Sequence, residues 1–325
     1  MENFFTYDDI KDSYDVTIIG AGPTGLTAGI YAGRDNLETI ILEKSFPGGQ
    51  AAMTEIIENY PGFPKGVKGS ELSELMYAHA LNFNVQIKNC TYKKIDLNNK
   101  IKTIDIEGKD VKINTKTIII ASGVRPKHLE IPGEDKFIGK GISFCATCDG
   151  AFYKNKIIAV VGGGDSAVEE GIYLTRFASK VYIIHRRNSL RATKILQKRA
   201  LSNPKIEFIW NTDVKTINGS NQIESITVFD KNNQKGYNLT VSGVFVYIGW
   251  TADTEIFKGQ LDMDEFGFIK ADETTKTVLP GVFVAGDVRL KKFRQIVTAI
   301  SDGAVAAKMA EQYIDENFSE VNKNG

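Results

Sequence analysis

A chain of 325 residues is long for one domain and points to two, and 42% hydrophobic with 25% charged residues is the composition of an ordinary globular protein with material for more than one core. Its 40 basic and 40 acidic side chains cancel, which leaves no electrostatic case for nucleic acid or an anionic membrane as main partner, and no run approaches the roughly 18 apolar residues of a membrane span. Three cysteines are too few for a disulfide scaffold, and the opening MENFFTYDDIKDSYD lacks the basic start and apolar stretch of a secretory signal, so the expected location is the reducing cytoplasm.

The first predicted element is the apolar run Val16 to Ile19, a buried parallel strand by pattern. It leads into Gly20-Ala21-Gly22-Pro23-Thr24-Gly25, a G-x-G-x-x-G turn, and then an amphipathic helix around Leu26 and Ile30. A second apolar strand from Thr39 to Leu42 ends at Glu43, about 20 residues after the turn, as a dinucleotide-binding βαβ unit requires. The first glycine permits the tight turn, the second lets a pyrophosphate approach the backbone and the helix N-terminus, and Glu43 can accept hydrogen bonds from a ribose diol. That combination fits the adenosine half of FAD.

Residues 101–120 read as a β-meander ending in TIIIASG, where Ala121-Ser122-Gly123 turn the chain into a loop. A crossover at 124–126 and a return near 250 then divide the chain into a discontinuous first domain, 1–123 with 251–325, and an inserted domain, 124–250. The insert carries FCATCDG, Phe144 to Gly150, which holds two of the three cysteines separated by two residues.

The glycine pattern recurs in KIIAVVGGGDSAVEEGIYLTRF, with Gly162, Gly164 and Ala167 at the three key positions. The strand after it, KVYIIHRR, ends not in an acid but in His185, Arg186 and Arg187, with Arg191 expected one helical turn further on. An acid there repels a 2′-phosphate whereas guanidinium groups grip it, so this unit is expected to prefer NADPH to NADH; a solvated basic strand end is the plainer alternative. Both copies carry a GIY tripeptide in the same register, Gly29-Ile30-Tyr31 and Gly171-Ile172-Tyr173, the mark of an internal repeat.

Two further apolar strands, GVFVYIGW (Gly243–Trp250) and PGVFVAGDV (Pro280–Val288), each end in glycine. Asp287 falls just past the second, where a carboxylate can accept from the ribityl chain of a flavin or simply cap a helix. RQIVTAISDGAVAAKMAEQYI has helical spacing with Ile296, Ile300, Ala304 and Ala307 on one stripe. Its N-terminus would aim positive dipole at a ligand; core packing alone is the other reading.

GAGPTG, PGGQ (Pro47–Gln50), ENYPGF (Glu58–Phe63), CATCDG, GGGDSAVEE, HRRNSLRA and FVAGDV followed by RQI together resemble the low-molecular-weight bacterial thioredoxin reductases, nearly end to end. The resemblance implies an α/β fold of two Rossmann-like dinucleotide-binding domains, the NADPH domain inserted into a discontinuous FAD domain through a two-strand hinge, and a homodimer. Motif and resemblance together place FAD on Gly20, Ala21, Gly22, Pro23, Thr24, Gly25, Glu43, Gly49, Gln50, Asn59, Val85, Asp287, Arg294, Gln295 and Ile296. They place NADPH on Gly162, Gly164, Asp165, Ser166, Ala167, His185, Arg186, Arg187 and Arg191. The redox pair of the family maps onto Cys145 and Cys148, with Cys148 facing the flavin and Cys145 attacking the partner, thioredoxin. Reductases of glutathione reductase type carry cysteines soon after the first ribose acid, and here KSFPGGQ follows Glu43 without one.

A zinc site needs about four ligands, and neither Cys90 nor His79, His128 or His185 shows ligand spacing with the pair, so no metal is expected. A structural disulfide across so short a loop constrains little of the unfolded chain and is reducible in cytosol. A redox role remains, in which electrons pass from NADPH through flavin to the Cys145–Cys148 disulfide and on to a protein disulfide. Asp149, beside the pair, is placed as general acid or base for the departing thiolate, or is a turn aspartate. Cys90 reads as a small buried hydrophobe. Because nicotinamide and disulfide must each reach the flavin, the two domains are expected to rotate as rigid bodies during turnover. Two rivals stand beside this reading: the same relay serving a peroxidase or glutaredoxin-like partner, and a non-enzymatic flavoprotein that senses NADPH, for which the CxxC–Asp arrangement has no use.

Overall fold

The computed structural model describes residues 9–54, 56–108 and 111–318; the first eight residues, part of the stretch read for a secretory signal, lie outside them. The chain divides into two compact units, one formed by the segments up to Arg125 and from Thr251 onward, the other by Pro126–Trp250.

The first unit begins with β1 (Ser13–Ile19), α1 (Pro23–Arg34) and β2 (Thr39–Glu43), followed by α2 (Gly49–Ala52), α3 (Gly69–Leu81) and β3 (Gln86–Asn89). A meander, β4 (Tyr92–Asp96), β5 (Lys102–Ile106) and β6 (Lys112–Ile120), closes the first pass, and β17 (Val282–Val284) with α8 (Ile296–Phe318) completes the unit after the chain returns. The parallel strands run β3-β2-β1-β6, with β17 on the far side of β6, while β5 and β4 continue antiparallel from β6. Val16, Ile18, Ile118, Ile119 and Ile120 are fully buried because this sheet is covered on both faces, which is why its strands read as unbroken apolar runs. Each such side chain contributes roughly 1.5–3 kcal/mol relative to exposure. The meander starts at Tyr92, earlier than its pattern suggests, because Lys93 and Lys94 face solvent and interrupt the apolar alternation.

Pro23 at the first helical position, with its φ already suited to a helix, sets the start of α1 directly after Gly22. Helix α8 lies against α1 through Ala299, Gly303, Ala306, Ala307 and Ala310, and a Cβ on Gly303 would overlap the Thr24 carbonyl oxygen. This corrects the expected stripe. Ile300 and Ala304 are only half-buried, and Ile296 packs on a separate cluster of Ile57, Val67 and Leu72. Close approach of two helix backbones selects small residues, so the face buried against α1 is built mainly from alanine and glycine and not from Ile296 and Ile300.

Two connecting strands, β7 (Val124–Pro126) and β16 (Trp250–Ala252), pair with each other where the chain leaves and re-enters the first unit. The second unit holds α4 (Glu134–Phe137), β8 (Ile142–Ser143), α5 (Ala146–Asp149), β9 (Ile157–Gly162), α6 (Asp165–Leu174), β10 (Lys180–Ile184), α7 (Lys194–Leu201) and β11 (Ile206–Ile209). Strands β12 (Thr212–Asn218), β13 (Ser225–Asp230), β14 (Lys235–Thr240) and β15 (Val244–Tyr247) follow. Its parallel order, β11-β10-β9-β15-β8, repeats β3-β2-β1-β6-β17 strand for strand, and β12-β13-β14 is its antiparallel meander. The shared GIY tripeptide has a packing cause. A Cβ on Gly29 would stand 2.9 Å from Ile41 of β2, and one on Gly171 would stand 3.0 Å from Ile183 of β10, so in both copies the helix glycine lets an isoleucine of the second strand approach. Among the described residues no helix is long and apolar enough to cross a membrane.

Candidate active site

In the first unit Gly20 adopts φ +106°, and a Cβ there would stand 2.5 Å from the Ala121 carbonyl oxygen. Gly25 has no room for a Cβ against the Gly20 carbonyl, whereas Gly22 faces open space at the N-terminus of α1. The turn is thus a bare backbone surface at a helix N-terminus, which suits phosphate oxygens. Glu43 braces it: one carboxylate oxygen accepts from the Ala21 N–H at 2.7 Å and the other from the Ser45 N–H at 2.9 Å. Each oxygen keeps a lone pair for a ribose hydroxyl. The Gly48 N–H donates to the Ala21 carbonyl at 2.8 Å and brings Gly49 close over Gly22, while Gln50 is exposed. Val85 differs from its neighbours in the predicted set, because its side chain is committed to the core against Gly29 and Gly33.

The same end of the sheet collects the C-terminal residues. The Asn59 amide donates to the Gln295 amide oxygen at 2.7 Å, joining two predicted site residues 236 positions apart. Asp287 lies in a 3₁₀ turn, Gly286–Val288, well before α8 begins, so it is not that helix's N-cap. Its Oδ1 is buried and has no hydrogen-bond partner among the described residues. Desolvation pushes its carboxyl above the usual range, opposed by Lys291 and Arg294. A shielded acceptor of this kind at the C-terminal edge of a parallel sheet suits a ligand hydroxyl. Arg294 donates through Nε to the Asp287 carbonyl at 3.1 Å and lies 4.0 Å over the Phe268 ring. Sequence reasoning missed Asp302, a buried acid on α8 that accepts from the Gly286 N–H, Arg289 and Lys291. Its signal was present, a lone acid in a stretch of small residues.

In the second unit Gly162 adopts φ +153°, where a Cβ would overlap the Tyr247 carbonyl oxygen, and Gly164 again faces open space ahead of α6. The middle glycine, Gly163, was also missed. The His185 ring sits against it and leaves no space for a Cβ, and the Gly163 carbonyl accepts from the Arg191 N–H at 2.7 Å and the Ala192 N–H at 3.2 Å. Asp165 adds a third tie, accepting from the Thr193 N–H at 2.6 Å. Arg191 therefore belongs to an irregular loop stapled to the glycine turn and not to a helical turn, since α7 starts only at Lys194. Two backbone ties at Gly163 fix its direction where helical spacing had been expected to. His185 is 4% exposed, its Nε2 lacks a partner among the described residues, and burial followed by Arg191 lowers its pKa, which keeps the ring neutral. The guanidinium groups of Arg186, Arg187 and Arg191 are exposed beside it. A cleft lined by Gly164, Asp165, Ser166, Arg191, Tyr247 and Trp250 runs along this edge.

Cys145 and Cys148 form a disulfide with Cα atoms 5.4 Å apart, in the same unit as the arginine cluster. Cys145 caps the one-turn helix α5, and its sulfur accepts from the Cys148 N–H at 3.2 Å and lies 3.3 Å from the Thr147 hydroxyl. The Ala146 N–H donates to the Tyr247 hydroxyl at 2.9 Å, which ties the pair to a residue of the cleft; burial raises the Tyr247 pKa and keeps it a neutral phenol. Cys148 is exposed, whereas Cys145 and Asp149 are half-buried. Cys90 is buried elsewhere, its thiol pushed up to about 12 by burial and by Glu43.

The sequence profile of the pyridine nucleotide-disulphide oxidoreductase family matches residues 14–303. A thioredoxin reductase of Bacillus subtilis is 45% identical over 304 residues, 93% of this chain and 95% of that protein. One from Peptoclostridium acidaminophilum is 41% identical over 321 residues, 96% of this chain and all of the other. Among solved structures, Lactococcus lactis thioredoxin reductase is 43% identical and superposes with a TM-score of 0.90, covering 93% of this chain and 99% of the other.

Proposed function

The chain belongs to the pyridine nucleotide-disulphide oxidoreductase family, and from that premise we propose that it reduces the disulfide of thioredoxin with electrons from NADPH, through FAD and the Cys145–Cys148 pair. The observation that carries this reading is the placement of a CxxC disulfide in the unit whose glycine turn meets an arginine cluster, while the other glycine turn meets Glu43. Opposite charges at equivalent strand ends serve different nucleotides.

FAD is read onto the first turn, with Glu43 on its ribose, Gln50, Asn59, Arg294, Gln295 and Ile296 along it, and Asp287 accepting from its ribityl chain. NADPH is read onto Gly162–Ala167, with Arg186, Arg187 and Arg191 on the 2′-phosphate and His185 neutral beside them. When bound, the flavin supplies a two-electron carrier between a nicotinamide and a sulfur pair.

The chain's own chemistry is thiol–disulfide exchange. The Cys145–Cys148 disulfide takes up two electrons and two protons and becomes a dithiol. The Cys145 thiolate attacks one sulfur of the thioredoxin disulfide, forming a mixed disulfide and releasing one thioredoxin thiolate. The Cys148 thiolate then attacks the Cys145 sulfur, which restores the internal disulfide and releases the second thioredoxin thiol. Asp149 acts as general acid toward the departing thiolate. The resemblance gives Cys145 the attack although Cys148 is the more exposed residue of the oxidised pair. Rotation of the units between half-reactions, a homodimer and a cytoplasmic location complete the reading.

The test is anaerobic. NADPH should bleach the yellow holoprotein, and oxidised thioredoxin should restore the colour while gaining two thiols. Colour that does not respond to NADPH, or returns without new thioredoxin thiols, refutes the reading; a glutaredoxin-like or peroxidase substrate that works in place of thioredoxin redirects it.

A further inference from the structure

Asp302 sits on the buried face of α8, which is otherwise built from alanine, glycine and one isoleucine. Its Oδ2 accepts from the Gly286 N–H at 3.0 Å, from Arg289 Nε at 3.1 Å and from Lys291 Nζ at 3.1 Å, and its Oδ1 accepts from Arg289 Nη2 at 3.0 Å. Arg289 thus grips both oxygens as a fork, with Nη1 donating to the Asp272 carbonyl at 2.9 Å. The Lys291 ammonium lies 3.4 Å from the Thr298 hydroxyl and 3.8 Å from Asp287 Oδ1, beyond hydrogen-bond range of the latter. One carboxylate therefore fixes the backbone of the turn that carries Asp287 and also holds, at hydrogen-bond distance, the cation that reaches Asp287 Oδ1 only as a long ion pair.

We propose that Asp302 is a positioning residue for the FAD site: by holding Lys291 back, it leaves Asp287 Oδ1 open to a hydroxyl of the ribityl chain. The inference rests on the reading of Asp287 as an acceptor for FAD. A buried ammonium goes to the carboxylate that offers the better geometry, and here that is Asp302. Neutralising Asp302 frees Lys291, whose next carboxylate is Asp287. A closed Lys291–Asp287 pair occupies the lone pair that the hydroxyl needs. Removing Lys291 as well removes the competitor.

The experiment measures FAD affinity by fluorescence quenching on the full chain stripped of flavin, with the thermal midpoint of the stripped chain beside it. Asp302→Asn should weaken FAD by about tenfold, the loss of one charge-assisted hydrogen bond. Lys291→Met added to it should restore most of that loss, which a turn that had merely lost its shape would not do. Lys291→Met alone leaves the bonds from Asp302 to Gly286 and Arg289 in place, so it reports even where Asp302→Asn does not fold; it should bind FAD within about threefold of the parent. A double variant no tighter than Asp302→Asn, or a Lys291→Met loss as large as that of Asp302→Asn, overturns the proposal while leaving the FAD reading intact. A parent chain that binds no FAD overturns both.

Discussion

The two glycine turns are assembled from the same parts and finished differently. Gly20 and Gly162 both take positive φ, Gly22 and Gly164 both face open space, and Gly29 and Gly171 both admit an isoleucine from the second strand. These shared features follow from how a strand must turn into a helix over a parallel sheet. The differences sit where a ligand would read them: Glu43 against His185, Arg186 and Arg187, and a disulfide in one unit alone. The repeat thus separates residues the fold demands from residues the chemistry demands, without any alignment.

The disulfide is the largest asymmetry, and removing it should have the largest effect. Cys148→Ser should lower thioredoxin reduction by about 10³-fold or more while flavin content and bleaching by NADPH persist. The same variant should trap thioredoxin as a stable mixed disulfide through Cys145, seen as a reducible band on a gel. Trapping by Cys145→Ser in its place would exchange the roles of the two sulfurs, which exposure of Cys148 in the oxidised pair makes a real contest.

Next in size is the strand-end charge. Arg186→Ala with Arg187→Ala removes two exposed basic residues at the end of β10, and the preference for NADPH over NADH, measured as a ratio of kcat/KM, should fall by about 10²-fold through the NADPH value alone. A ratio that stays put means the cluster is a solvated surface and that the comparison with Glu43 carries no nucleotide information.

Both βαβ units were legible because their signal is local: an apolar strand, glycines at fixed spacing, then a second strand that ends in Glu43 in one copy and runs into His185, Arg186 and Arg187 in the other. What escaped was set at long range. The direction of Arg191 depends on Gly163 accepting two backbone N–H groups and on Asp165 holding Thr193, none of which helical spacing encodes. The buried face of α8 was misread because α1 rewards small residues there and leaves Ile300 half-exposed. Asp302 could be seen in the sequence, but its meaning depends on Arg289 and Lys291 folding back onto it. Val85 enters the site set through the family resemblance alone; its side chain lies in the core, which leaves its backbone as the part that can face a ligand.

The third glycine position offers a subtler comparison. At Gly25 a Cβ overlaps the Gly20 carbonyl, yet the equivalent residue is Ala167 and its methyl is accommodated. Gly25→Ala should therefore cost about 1–3 kcal/mol through forced backbone shifts and should lower the flavin content of the purified protein. Ala167→Gly should cost only about 0.5–1 kcal/mol, the ordinary penalty of glycine in a helix. Equal costs in thermal unfolding would mean that the two turns are interchangeable at this point.

Each unit also buries a titratable side chain with an atom that has no hydrogen-bond partner among the described residues, Asp287 Oδ1 in the first and His185 Nε2 in the second, and both groups resist charging. For Asp287 desolvation raises the pKa, so at neutral pH the ligand-free chain carries an ionised carboxylate that folding disfavours. Asp287→Asn should accordingly raise the thermal midpoint of the flavin-free chain at pH 7 while weakening its grip on FAD. The advantage has a definite pH dependence. As pH falls through the raised folded value toward the unfolded 3.8, the folded parent binds its proton first and recovers stability, so the gap between parent and variant should close. A gap that widens on acidification would mean that Lys291 and Arg294 outweigh desolvation, and that Asp287 stabilises the empty fold instead of being held at a cost for its ligand.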